Sequence, residues 1–138
     1  MEYLQLILKK AISLGATDVH LAPGQLPVYR ISRKLFFDES KMPITNTTLA
    51  KIVEDFYVEK PSLKKVFETK KQADFSYMYS DHKFRINVSL TKGVPTFSIR
   101  IIPNGEIAIK DLGLREIINK MKVINSGLIL LTGKVNSG

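Results

Sequence analysis

Two groups of residues in this chain have the types and spacing that chemistry requires. The first closes the sequence: an apolar run, Gly127-Leu128-Ile129-Leu130-Leu131-Thr132, leads directly into Gly133-Lys134-Val135-Asn136-Ser137-Gly138. A phosphate-binding loop needs a strand, a glycine, four residues, a second glycine, then a lysine and a hydroxyl residue opening a helix. The strand-like run, both glycines and their spacing are present, and the lysine and hydroxyl residue would be the next two positions. In such a loop successive backbone N–H groups wrap the phosphates, and the helix amino terminus adds partial positive charge. The lysine reaches the outer phosphates while the hydroxyl holds magnesium. A chain that carries part of the cradle and neither side chain is expected not to hydrolyse ATP alone.

The second group is a pair of arginines. Phe84, Ile86, Val88 and Leu90 alternate with Arg85, Asn87, Ser89 and Thr91, and Phe97, Ile99 and Ile101 alternate with Ser98 and Arg100. Period-two alternation puts the apolar set on a core and the polar set on an open sheet face. Lys92-Gly93-Val94-Pro95 reads as a four-residue hairpin loop. With Thr91 paired to Thr96, Asn87 lies opposite Arg100 and Arg85 is a diagonal neighbour. Two guanidiniums so placed repel one another. They call for an anionic ligand or for an Asp or Glu of the same chain, and the pattern leaves both open.

The elements that must position these groups follow from hydrophobic spacing. Leu4, Ile7, Leu8, Ala11 and Ile12 share one face of an opening helix that ends at Gly15. Short strands follow at Asp18–Leu21, Val28–Ile31 and 35–37, with Ser32-Arg33-Lys34 as the turn between the last two. A helix is expected from about Asn46, burying Leu49, Ile52, Val53 and Phe56, and a shorter one from Pro61, burying Leu63, Val66 and Phe67. Strands over 73–79, 83–91 and 96–102 come next. A last helix behind Asp111 should bury Leu114, Ile117, Ile118 and Met121, before a buried strand at 127–132. Strands that mostly follow one another, with helices at intervals, make the class α+β.

Composition narrows the chemistry further. The 138 residues include no cysteine, which excludes disulfides, thiolate zinc sites, iron–sulfur clusters and a cysteine nucleophile. His20 and His82 have no carboxylates at ligand spacing, so no metal site is expected. A formal charge of +8 suggests an anionic partner. Nucleic acid ranks last among these, because the basic residues are dispersed and no basic motif is interleaved with aromatics. An acid in Met1-Glu2-Tyr3 argues against a secretory signal, and Leu128–Leu131 is too short to span a bilayer. A cytoplasmic protein without direct membrane insertion is the expectation.

Several stretches, taken in order, resemble the PilT-type members of the type II/type IV secretion ATPases. They are Gly15–Leu21, Pro27–Arg30, Ala73–Tyr77, Phe84–Val88, Arg100–Pro103, Leu112–Leu114 and Gly127–Gly133. The resemblance covers essentially the whole chain. It implies a PAS-like amino-terminal domain over 1–104, a linker and helix over 105–126, and the start of a RecA-like ATPase domain over 127–138, broken off within the phosphate loop. It also implies a hexameric ring using ATP and magnesium. That ring would sit at the inner face of the cell membrane through a pilus platform protein. In that family amino-terminal arginines approach the phosphates of a nucleotide on a neighbouring subunit, and by motif position these are Arg85 and Arg100, with Lys92 a weaker third. Gly133, Lys134, Val135, Asn136, Ser137 and Gly138 would contribute to the nucleotide cradle. Asp18, His20 and Arg30 match family positions to which we give structural roles.

The chain departs from the family pattern at Lys134, Val135 and Asn136, where proline, threonine and glycine are usual before Ser137, and at Arg33, where a turn glycine is common. Asn136 is the mildest change, since asparagine tolerates left-handed backbone. The opening helix starts at Glu2, which favours a retraction motor over assembly motors that carry an extra leading domain. The competing expectation is a non-enzymatic PAS-like interaction module with a vestigial loop.

Overall fold

The computed structural model describes residues 1–103, 112–130 and 132–133. The chain divides into two compact units, Met1–Asn104 and Gly105–Gly138. The first unit contains α1 (Glu2–Ser13), β1 (Asp18–Leu21), β2 (Val28–Ile31), β3 (Lys34–Phe37), α2 (Asn46–Glu59), α3 (Ser62–Lys70), β4 (Gln72–Tyr79), β5 (His82–Thr91) and β6 (Val94–Ile102). Its strands form one six-stranded sheet, ordered β3-β2-β1-β6-β5-β4, with every neighbouring pair antiparallel. This is the α+β class expected from the sequence.

The helices begin and end where local chemistry allows. Gly15 adopts φ +61, which lets the Ala16 N–H reach the Ala11 carbonyl and the Gly15 N–H reach the Ile12 carbonyl, closing α1. The Thr45 hydroxyl accepts from the Thr48 N–H at 3.1 Å and starts α2. Leu4, Ile7, Leu8 and Ala11 of α1, and Leu49, Ile52, Val53 and Phe56 of α2, are buried as their spacing requires. They meet Val19, Leu21, Phe84, Ile86, Val88, Phe97 and Ile99 from the apolar side of the sheet. Phe56 stands edge-on to Phe75 and Tyr77, with ring centroids 4.8 and 5.3 Å away. On α3 only Phe67 is buried, and Val66, expected inside, is exposed.

A buried carboxylate ties α1 and β2 to the irregular segment after β3. Asp38 accepts from Lys10 Nζ at 2.6 Å, from Ser40 Oγ at 2.6 Å and from the Ser40 N–H at 3.2 Å. The Tyr29 hydroxyl donates to its other oxygen at 3.4 Å. Burial alone would push this carboxyl up, but the Lys10 and Ser40 hydrogen bonds hold its pKa below the ordinary value. Burial beside Asp38 raises the Tyr29 phenol in turn.

Three hairpins have two-residue turns: Ser32-Arg33, Ser80-Asp81 and Lys92-Gly93, each with positive φ at both positions. These are the mirror-type turns whose twist matches antiparallel strands. Lys34 therefore belongs to β3 and not to the turn. The four-residue loop expected at 92–95 is replaced by a two-residue one, so Thr91 pairs with Val94 and Leu90 with Pro95. The register moves by two residues relative to the sequence expectation, which keeps every side chain on its expected face.

In the second unit α4 (Arg115–Met121) forms, but none of its residues is buried. Ile117 is exposed, while Ile118 and Met121 are half-buried. The strand expected over 127–132 is not present at 127–130, where Leu128, Ile129 and Leu130 are exposed. A strand must exchange hydrogen bonds with neighbours, and among the described residues of this unit there is no strand to supply them.

Arg33 sits at φ 70, a left-handed conformation that costs a residue bearing Cβ about 1 kcal/mol. Arg33→Gly is therefore expected to stabilise the first unit by about that amount, read as a higher urea midpoint at unchanged slope. A lower midpoint would contradict the turn assignment.

Candidate functional site

The face of the sheet opposite the apolar core carries a polar patch across β1, β6, β5 and β4. Register places Arg30 opposite Asp18, Asp18 opposite Arg100, Arg100 opposite Arg85, and Arg85 opposite Ser76. A single rung thus crosses β2, β1, β6, β5 and β4. The next rung brings His20, Ser98, Asn87 and Asp74 into line. Arg85 and Arg100, expected as diagonal neighbours of a kind, are direct cross-strand partners. The shorter turn at Lys92-Gly93 is the cause.

Neither guanidinium stands without a carboxylate. Arg85 Nε donates to both oxygens of Asp74 at 3.0 and 3.2 Å, and its Nη2 donates to one of them at 2.8 Å. Arg100 Nε donates to Asp18 Oδ1 at 3.0 Å. Asp18 Oδ2 accepts from the Thr17 hydroxyl at 2.9 Å and lies 3.5 Å from Arg30 Nε. Of the two partners that spacing left open for the arginines, the acid of the same chain is the one this unit contains. Both guanidiniums remain largely exposed, at 67% for Arg85 and 65% for Arg100. Asp18 retains only 8% of its surface.

The electrostatics follow from these contacts. Burial would raise the Asp18 carboxyl, but hydrogen bonds from Arg100 and Thr17 and the charges of Arg100 and Arg30 outweigh it and lower the pKa. The Arg85 hydrogen bonds do the same for Asp74, and Asp74 in turn raises Arg85. Burial, helped by the charge of Arg30, lowers His20 and favours its neutral ring. His20 Nε2 is buried with no partner among the described residues.

A shallow cavity of about 140 Å3 opens on this face, lined by Asp18, Arg85, Asn87, Ser98 and Arg100. Beside the Asp18 carboxylate its walls offer guanidinium donors, an amide and a hydroxyl, and those donors are of the kind that hold an oxyanion such as phosphate. Sequence reasoning did not single out Asp18 and Asp74 as the partners of the arginines. The signal for Asp74 lies in the Ser80-Asp81 turn, which fixes Ser76 opposite Arg85 and so puts Asp74 one diagonal away. Lys92 sits in the β5–β6 turn and does not line the cavity. Of the expected phosphate-loop residues only Gly133 is described, and it is exposed. Lys134, Val135, Asn136, Ser137 and Gly138 lie outside the described residues. No group of three His, Asp or Glu among the described residues could hold a metal ion, and no described helix is long and apolar enough to cross a membrane.

The fold of this chain is similar to part of several solved secretion and pilus ATPases. No protein-family model matches the chain. The ATPase DotB of Legionella pneumophila has a TM-score of 0.71 at 19% identity, covering 91% of this chain and 36% of DotB. DotB of Yersinia pseudotuberculosis gives 0.66 at 17% identity, covering 86% and 34%. At those identities the likeness is one of fold. The pilus retraction motor PilT, crystallised with bound ADP, gives a TM-score of 0.62 at 26% identity, covering 81% of this chain and 34% of PilT. The type IV pilus retraction ATPase PilT of Pseudomonas aeruginosa is 27% identical over 128 residues, which are 90% of this chain and 36% of that protein. The chain shares homology with PilT over most of its own length, and it spans 36% of the length of the curated relative it matches.

The pH dependence of the face has a definite sign. Asp18 and Asp74 have pKa values lowered from 3.8, so their pairs contribute fully above that pH and are lost as pH falls through the lowered values. Asp18→Asn should cost about 1–2 kcal/mol at pH 7. The gap from wild type should close as pH falls through the lowered Asp18 value, because the carboxyl is then itself protonated. Urea midpoints across that range measure it, and a gap independent of pH would exclude the ionic role.

Proposed function

We propose that the chain is the amino-terminal module of a hexameric ATPase that powers type IV pilus retraction or a related secretion process. In this reading six full-length copies form a ring, and Arg85 and Arg100 of one subunit approach ATP phosphates held by the adjoining subunit. The cross-strand placement of these two guanidiniums on a solvent-facing sheet carries the reading. It is supported by the homology to PilT, a relative solved with ADP. Around the rung, Arg30, Arg85 and Arg100 face Asp18 and Asp74, which leaves an excess of positive charge for an anion to balance.

Bound ATP with magnesium supplies the transferable phosphoryl group, and this chain supplies positive charge where negative charge develops on it. Asp18 holds Arg100 by Nε alone, so its terminal nitrogens remain available to a ligand. The loop from Gly133 to Gly138 contributes backbone donors, with the lysine and hydroxyl residue following it in the full-length protein. The downstream reading frame tests that point directly. Such a motor works in the cytoplasm against a platform protein in the inner membrane, without entering the bilayer or binding nucleic acid.

One observation favours a second reading, a non-enzymatic interaction module. Each arginine is already neutralised by an acid of its own chain, as a purely structural ion pair would be. The two readings separate in the full-length protein. If the arginines act on ATP, Arg100→Ala and Arg85→Ala each lower kcat by about 10³-fold, the size of an arginine supplied across an interface. The ring should persist by mass photometry. Unchanged kcat together with assembly that ignores nucleotide would select the interaction module.

A further inference from the structure

Arg85 and Arg100 are held in unequal ways. Asp18, which anchors Arg100, is buried and receives donors from Thr17 and Arg100 while lying beside Arg30. An anion that drew Arg100 away would leave the buried Asp18 carboxylate short of a donor and a counter-charge. Asp74, which holds Arg85, is 43% exposed on β4, the strand at the edge of the sheet. Among the described residues it receives hydrogen bonds from Arg85 alone.

Asp74 also lies outside the arginine cavity. It lines a neighbouring open groove with Val66, Lys70, Gln72 and Asn87, and Asn87 borders both spaces. Arg85 thus stands at the boundary, with its planar fork turned onto a carboxylate that belongs to the groove. A carboxylate and a phosphate present the same two-oxygen edge to that fork.

We infer that Asp74 is a displaceable counter-ion, which stores Arg85 in the resting chain and yields it to a phosphate group arriving at the Arg100 cavity. Arg100 is then the standing phosphate contact and Arg85 the one that exchanges partners. An exposed ion pair is a weak restraint, worth at most about fivefold in an equilibrium, so phosphate can overcome it and its absence can be measured. This inference rests on the reading that the face meets phosphate.

The 138-residue chain, titrated with tripolyphosphate at low salt and followed through the arginine Nε–Hε NMR signals, tests both ideas. Asp74→Asn should bind about three- to fivefold more tightly than wild type, with the Arg85 signal already shifted before ligand is added. Arg85→Ala should weaken binding, and Asp74→Asn should confer no gain in that background. Glu54→Gln removes an acid from the exposed side of α2, away from this face, and should change affinity less than about twofold. If Asp74→Asn binds like wild type while Arg85→Ala still weakens, the stored-arginine inference fails and the phosphate-facing reading stands. A gain that survives Arg85→Ala would be a general charge effect and would also overturn it. If Arg85→Ala and Arg100→Ala both bind as wild type does, or no variant binds, the phosphate-facing reading fails and takes the inference with it.

Discussion

The polar face is organised around the Asp18 carboxylate. It joins β1 to β2 through Arg30 and to β6 through Arg100, and Thr17 occupies the oxygen turned towards Arg30. A carboxylate this buried persists as an anion only where donors and positive charge offset its lost hydration. Those same donors fix the direction of Arg100. One buried acid thereby converts a flexible side chain into a positioned cation, and it does so on the strand pair that closes the two halves of the sheet, β3-β2-β1 and β6-β5-β4.

That arrangement is available because the other face of the sheet carries the core. Phe84, Ile86, Ile99 and Val19 are fully buried under the helices, and alternation then forces Arg85, Arg100 and Asp18 outward together. Stability and charge placement are consequences of one pleat. A shift of one residue in β5 or β6 would exchange the two sets and lose both. The two-residue turns at Ser80-Asp81 and Lys92-Gly93 guard against that shift by fixing the pairing at each end of β5.

The balance of charge explains why the face is compatible with two roles. In the resting chain Asp18 and Asp74 quench most of the repulsion between neighbouring guanidiniums. The Arg85–Asp74 pair is exposed on both sides, so water and salt screen it and it is weak, whereas the acid of the Arg100 pair is buried. What separates a structural cluster from a phosphate contact is therefore the unused hydrogen-bonding capacity. Arg100 retains most of its donors, and Asn87 and Ser98 line the same cavity.

Much of this was legible in the residues themselves. The 3.6-residue spacing of Leu4, Ile7, Leu8 and Ala11, and of Leu49, Ile52, Val53 and Phe56, determined the helices and their buried sides. Alternation along 84–90 and 97–101 determined which side chains share the open face, and so put Arg85 and Arg100 together. Both patterns depend on local geometry and need no knowledge of distant contacts. Turn length decided the rest. The pairing of Arg85 with Arg100 depends on left-handed backbone at Lys92, and the reach to Asp74 on the same conformation at Ser80 and Asp81, residues whose types do not demand it. The bond between Arg100 and Asp18 spans 82 positions of sequence and exists only once β1 lies beside β6. In the second unit, apolar spacing around α4 and along 127–130 could mark residues fit for a core, but burial requires a covering surface, and spacing cannot create one.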